Sequence, residues 1–151
     1  MHSTGKSTYI LVARRAGAVI YSSHGPDVPM DLVAEIDHPR GRLKASELEA
    51  DRPGRAFDRA AQGRHAYSNE ESPADRVEHE FALQLADQLN QHRNSEAFDQ
   101  LVLVAGPKLL GKLRQALSEP TRKLVSAELD KDLIDPSEQD LRKYLKGLAN
   151  V

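Results

Sequence analysis

Four arginines crowd one stretch of the chain: Arg52, Arg55, Arg59 and Arg64. Each planar guanidinium can grip a phosphate through two parallel hydrogen bonds. Rings are interleaved with them at Phe57, His65 and Tyr67, with His38 upstream, and such rings offer faces on which unstacked bases rest. This is the chemistry of RNA contact. A plainer reading has Asp51 and Asp58 pairing with the arginines and stitching the segment onto the domain. Binding of a small anion is a third.

A second cationic pair, Lys108 and Lys112, stands one helical turn apart in Gly106-Pro107-Lys108-Leu109-Leu110-Gly111-Lys112, where an apolar run ends and a helix begins. In open α/β sheets, strand carboxyl ends and helix N-termini favour anionic ligands. Most such lysines are only solvated, so the turn ranks behind the arginine-rich segment. Gly5-Lys6-Ser7-Thr8 imitates the end of a phosphate-binding loop. The full loop needs an earlier glycine and a helix behind it, whereas Tyr9-Ile10-Leu11-Val12 reads as a strand. Nucleotide binding there is set aside. His79, between Glu78 and Glu80, is expected to be solvated, because neighbours in a helix point in different directions.

The elements that position these residues follow from pattern changes. Residues 8–14 and 18–23 read as two strands around Arg15-Ala16-Gly17, and Leu32 to His38 as a third. Pro39 to Ser72 shows no sustained period, and structureless connections of that length are usually functional or disordered. Ser72-Pro73-Ala74-Asp75 then opens a helix with a capping serine, a proline in the first turn and an acid suited to the helix dipole. Val77, Phe81, Leu85 and Leu89, flanked by Ala82 and Ala86, form its apolar stripe. Leu101 to Ala105 reads as a strand buried on both faces. Pro107 opens a second helix with Leu110, Leu113 and Leu117 inward, and Lys123 to Leu129 supplies a fifth strand. Asp135-Pro136-Ser137-Glu138 starts a third helix through Leu141, Leu145 and Leu148.

The order is βββαβαβα: one α/β domain over residues 1–151, with a mixed five-stranded sheet and a long basic loop at 39–72. Such an order suggests a ribonuclease H-like arrangement, three antiparallel strands extended by parallel ones through helical crossovers. Metal-dependent nucleases of that architecture need converging carboxylates. Neither Tyr9 to Arg14 nor Leu101 to Ala105 holds one, so no metal, cofactor or catalytic residue is assigned.

Composition adds further bounds. The chain has 151 residues, no cysteine and a net charge of -2, which removes thiolate chemistry and any global attraction to nucleic acid. Charge is unevenly placed, however. Seven cations face four anions between His38 and Ser68, whereas seven anions face two cations between Glu70 and Glu96. With no secretory leader and no apolar run of membrane-spanning length, a cytoplasmic protein without membrane insertion is expected.

Several stretches resemble the bacterial family of proteins required for attachment to host cells, itself distantly similar to the middle domain of archaeal and eukaryotic translation release factors. They are TYILVARRAGAVIYSS, HPRGRLKASELEADRPGRAFDRAAQGRHAY, EHEFALQLADQL, FDQLVLVAGPKLLGKLRQAL and AELDKDL. The DRPGR segment with its following GRHA is the most specific. Arg14 stands where relatives often carry an acid, so no role is carried over through that position. The resemblance implies a ribonuclease H-like fold and a link to translation or ribosomes. Release factors display Gly-Gly-Gln on the corresponding loop; Gln62-Gly63 keeps neither that order nor the paired glycines, so hydrolysis is not carried over. The expectation is a non-catalytic RNA- or ribosome-associated factor, with small-anion binding at Gly106 to Lys112 as the alternative.

Overall fold

The computed structural model describes residues 7–43 and 72–151. Strands β1 (Thr8–Arg14) and β2 (Gly17–Ser23) form a hairpin in which Arg14 pairs with Gly17 and Val12 with Val19. Strand β3 (Asp31–Asp37) pairs antiparallel with β2, with a register shift at Ile20/Tyr21. A 3-10 turn at Pro39–Arg42 follows. Helix α1 (Pro73–Asn94) leads to β4 (Gln100–Ala105), which lies parallel to β1. Helices α2 (Pro107–Ala116) and α3 (Glu119–Arg122) carry the chain to β5 (Val125–Asp130), parallel to β4, and α4 (Glu138–Leu145) closes the order. The sheet order is β3-β2-β1-β4-β5, as a ribonuclease H-like arrangement requires.

The alternation of β1 and β4 sorts their side chains between two cores. Tyr9, Leu11, Ala13, Leu101, Leu103 and Ala105 face α1 and α2. Ile10, Val12, Val102 and Val104 face Leu141 and Leu145 of α4. Both central strands are therefore apolar on both sides, the signature of parallel strands covered by helices on each face. The expected stripe of α1 is buried from Val77 through Leu89, as are Leu110, Leu113 and Leu117. Each N-terminal serine caps its helix: Ser72 Oγ accepts from the Asp75 amide, and Ser137 and Asp140 form a reciprocal capping box.

Three details depart from the sequence reading. Helix α3 interrupts the expected path into β5, because Ser118 caps it and Pro120 fits its first turn. The strand consequently begins at Val125 rather than Lys123. Helix α4 stops at Leu145, with Gly147 in a left-handed conformation (φ 86°), so Leu148 is exposed instead of continuing the inward row.

Candidate nucleic-acid and anion interface

Because β1, β4 and β5 run parallel, Arg14, Gly106 and Asp132 arrive together at the carboxyl edge of the sheet. A crevice of about 390 Å³ lies there, lined by Arg14, Arg15, Glu78, Lys108, Leu109 and Asp132 among others. Glu78 reaches it from the second turn of α1, and Lys108 from the first turn of α2. The ammonium of Lys108 lies 3.4 Å from Asp75 Oδ1.

Two polar atoms of this crevice stand out. Glu78 Oε1 and Arg15 Nε are both buried, and neither has a hydrogen-bond partner among the described residues. Burial pushes the Glu78 carboxyl above the usual glutamate range, and the charge of Asp75 adds to this against Lys112, Arg15 and Lys108. Asp75 moves the other way. Burial works against its ionisation, yet hydrogen bonds from Lys108 and Ser72 and the charges of Lys108 and Lys112 hold its carboxyl low. The two lysines singled out in the sequence thus converge electrostatically on Asp75 and Glu78.

A second hollow, of about 520 Å³, opens on the other side of Arg14 and is lined by Glu35, Asp37, Arg42 and Asp135 among others. Here Arg42 lies 2.8 Å from Asp37, and Arg14 lies 3.8 Å from Asp135. Three carboxylates against two guanidiniums make this side the poorer anion site.

The flanks of the arginine-rich segment are fixed at the same edge. Beyond β3, the His38 amide donates to the Ala16 carbonyl at 2.9 Å, and Arg15 Nη2 donates to the Leu43 carbonyl at 3.0 Å. Arg40 reaches Glu80 of α1 at 2.8 Å. Gly41 packs so closely on the Arg15 carbonyl that an added Cβ would overlap it. The chain re-enters at Ser72, one turn before the Asp75–Lys108 pair. Arg52, Arg55, Arg59, Arg64 and His65 lie outside the described residues, as do Asp51, Asp58, Phe57 and Tyr67.

His38 does not serve as a stacking face for bases. It is buried, its Nδ1 lies 2.9 Å from the Arg15 carbonyl oxygen, and its ring stacks on Phe81. His79 is half-buried, with part of its surface still open to solvent. Among the described residues no cluster of three His, Cys, Asp or Glu side chains is placed to hold a metal, and no helix is long and apolar enough to cross a membrane. Sequence reasoning missed Arg15, Glu78 and Asp132, since these walls come from separate elements and carry no common spacing.

Fold and edge together define a ribonuclease H-like α/β domain whose carboxyl edge, among the described residues, presents both cations and carboxylates. The chain belongs to the family described as "Protein required for attachment to host cells", whose sequence model matches residues 9–145. Among solved structures, one described as "Archaeal protein" superposes with a TM-score of 0.53 over 96% of this chain, at 15% sequence identity. That likeness is one of fold, and the chain spans 34% of the length of that protein. No curated protein matches the sequence.

Proposed function

We propose that this host-attachment family member is a non-catalytic RNA- or ribosome-associated factor, distantly related to translation release and rescue proteins and working without Gly-Gly-Gln. One observation carries the reading. The segment holding Arg52, Arg55, Arg59 and Arg64 leaves and re-enters the domain at the edge where Arg14, Arg15 and Lys108 gather. The two ends of that segment, at Leu43 and Ser72, lie by the edge that presents Lys108, and in this reading phosphate contacts from both cationic features add to a single footprint. The apolar central strands support a binding role over a metal-assisted cleavage role, since they bring no carboxylate to their ends.

The test is co-sedimentation with purified ribosomes at low and moderate salt. Association that weakens steeply as salt rises is the expected result, because each neutralised phosphate releases counterions that added salt restores. Absence of association at both salt concentrations, together with no binding of single-stranded RNA, overturns the proposal.

A further inference from the structure

Two strands bound the sheet, β3 on one side and β5 on the other. An outer strand offers unpaired backbone groups to any extended chain, and proteins commonly blunt it with lysine or proline. Lys123 and Lys131 flank β5 in this way. β3, which reads Asp31-Leu32-Val33-Ala34-Glu35-Ile36-Asp37, holds no lysine, arginine or proline, and among the described residues it pairs with β2 alone. The His38 amide bonds inward to Ala16, and ladder bonds alternate along an antiparallel strand. The backbone groups of Glu35 and Asp37 therefore face outward.

The same two residues line the hollow of about 520 Å³, to which Val12, Val19 and Tyr21 add apolar walls. Arg42 lies 2.8 Å from Asp37 and Arg14 3.8 Å from Asp135, whereas Glu35 has no ion pair with a described residue. Further along the strand, Leu32 is 55% exposed. Outward backbone, an unanswered carboxylate and exposed apolar surface thus occur on one strand.

Charge selects the occupant. A second copy of β3 laid antiparallel about Ala34 would set Asp31 against Asp37, and one laid about Val33 would set Asp31 against Glu35; like charges placed opposite one another destabilise a strand pair. Nucleic acid would meet the carboxylates of Glu35, Asp37 and Asp135 against two guanidiniums. An extended chain with lysine or arginine opposite Glu35 gains an opposite-charge pair instead, and its long stem has Val19 and Tyr21 to lie along.

We propose that the outer edge of β3 docks an extended cationic segment of a partner protein. The segment adds to the sheet as a further strand, bonded to the outward backbone groups of Glu35 and Asp37, and directs a lysine or arginine side chain past Glu35 into the hollow. Main-chain bonds supply affinity in this mode of recognition, and the side-chain hollow supplies specificity. The inference does not rest on the RNA reading, because its ligand is a protein of positive charge.

The experiment titrates the full chain, Glu35→Gln and Glu35→Lys into labelled short peptides and reads fluorescence anisotropy. The probes are a peptide of alternating Lys and Val, one of alternating Glu and Val, and two forms of the first that are N-methylated at every Lys or at every Val. The parent is expected to bind the Lys-Val peptide and not the Glu-Val peptide. Glu35→Gln should weaken that binding about threefold and Glu35→Lys about tenfold, the size of losing and then reversing a cross-strand charge pair. Glu35 is exposed, and thermal melts check that both variants remain folded. Only alternate residues of an added strand donate to the edge, so one N-methylated form should lose binding and the other keep it. No binding of the Lys-Val peptide, equal binding by parent and Glu35→Lys, or equal effects of the two N-methylations would each overturn the proposal. Sedimentation equilibrium covers the remaining occupant: a parent that dimerises, and whose dimer the peptide dissociates, gives the edge to a second copy and overturns it as well.

Discussion

The imidazole of His38 lies flat on the ring of Phe81, with centroids 4.2 Å apart and planes 5° from parallel. This contact joins the residue just after β3 to the middle of α1, on the path that leads into the arginine-rich segment. His38 is also fastened from below, by its Nδ1 to the Arg15 carbonyl oxygen and by its amide to Ala16. The chain is thus held at three points on His38 before it enters the stretch that reads as loop from Pro39 onward.

Removing either ring tests this anchor. Phe81 is fully buried in the core shared by α1 and the sheet, so Phe81→Ala is expected to cost about 3 to 5 kcal/mol through lost burial and the cavity left behind. His38→Ala keeps the core but removes the stack and a buried hydrogen bond, an expected loss of about 1 to 3 kcal/mol. Urea denaturation followed by circular dichroism measures both. A His38→Ala midpoint equal to the parent's would show that the stack adds nothing to stability.

Gly41 makes a backbone test of the same anchor. Its Cα sits against the Arg15 carbonyl with no room for a side chain, so Gly41→Ala must push the 3-10 turn away from the β1–β2 turn. Loss of stability together with faster proteolysis between residues 39 and 72 is the expected outcome. Gly111, where an added Cβ would meet nothing within 4 Å, is the control: Gly111→Ala within α2 should be neutral or mildly stabilising.

Glu78 predicts a pH dependence with a definite sign. Its carboxyl is raised in the folded protein, chiefly by burial, so the folded state holds the proton over a pH range in which the unfolded chain has released it. Stability is therefore undiminished by this group below the ordinary glutamate range, and is lost as pH rises from there through the raised value. Glu78→Gln should raise the melting temperature at neutral pH and leave it unchanged in acid. Asp75 contributes in the opposite sense, since its carboxyl is held low, and Asp75→Asn should lose its effect as pH falls. Equal shifts for Glu78→Gln at both pH values would contradict the assignment.

Much of the fold was legible because three cues agreed in each element. Val77, Phe81, Leu85 and Leu89 gave a helical period, Ser72 a cap and Pro73 a start, and all act as read. Helix α3 escaped notice because a single turn has no period to detect; its local signs are the cap Ser118 and Pro120, and the Asn90 Oδ1 that accepts from Ser118 Oγ and Thr121 Oγ1 is distant in sequence. His38 was misjudged for a related reason: an imidazole's exposure is decided by what packs over it, here Phe81. Lys108 and Lys112 were placed correctly at a strand-to-helix turn. Glu78 was invisible as a site residue, since an acid on an acidic helix reads as solvated, whereas the fold buries one of its oxygens.

The arginine-rich segment carries the last prediction. Arg40 and Arg42, just before it, are already committed to Glu80 and Asp37 in ion pairs, which shows how arginines in this stretch can build the fold without touching a ligand. If Arg52, Arg55 and Arg59 act likewise through Asp51 and Asp58, replacing all three by alanine lowers the melting temperature. If they contact RNA, the triple variant melts like the parent, binds ribosomes or single-stranded RNA more weakly, and shows a shallower dependence of affinity on salt, because fewer counterions are released. The RNA reading expects the second outcome. Lys6→Ala should change binding little by comparison, since a strand begins at Thr8, where a phosphate loop requires a helix. An unchanged melt with unchanged binding and salt slope would remove the segment from the interface, leaving Arg14, Arg15 and Lys108 as the cations of that edge.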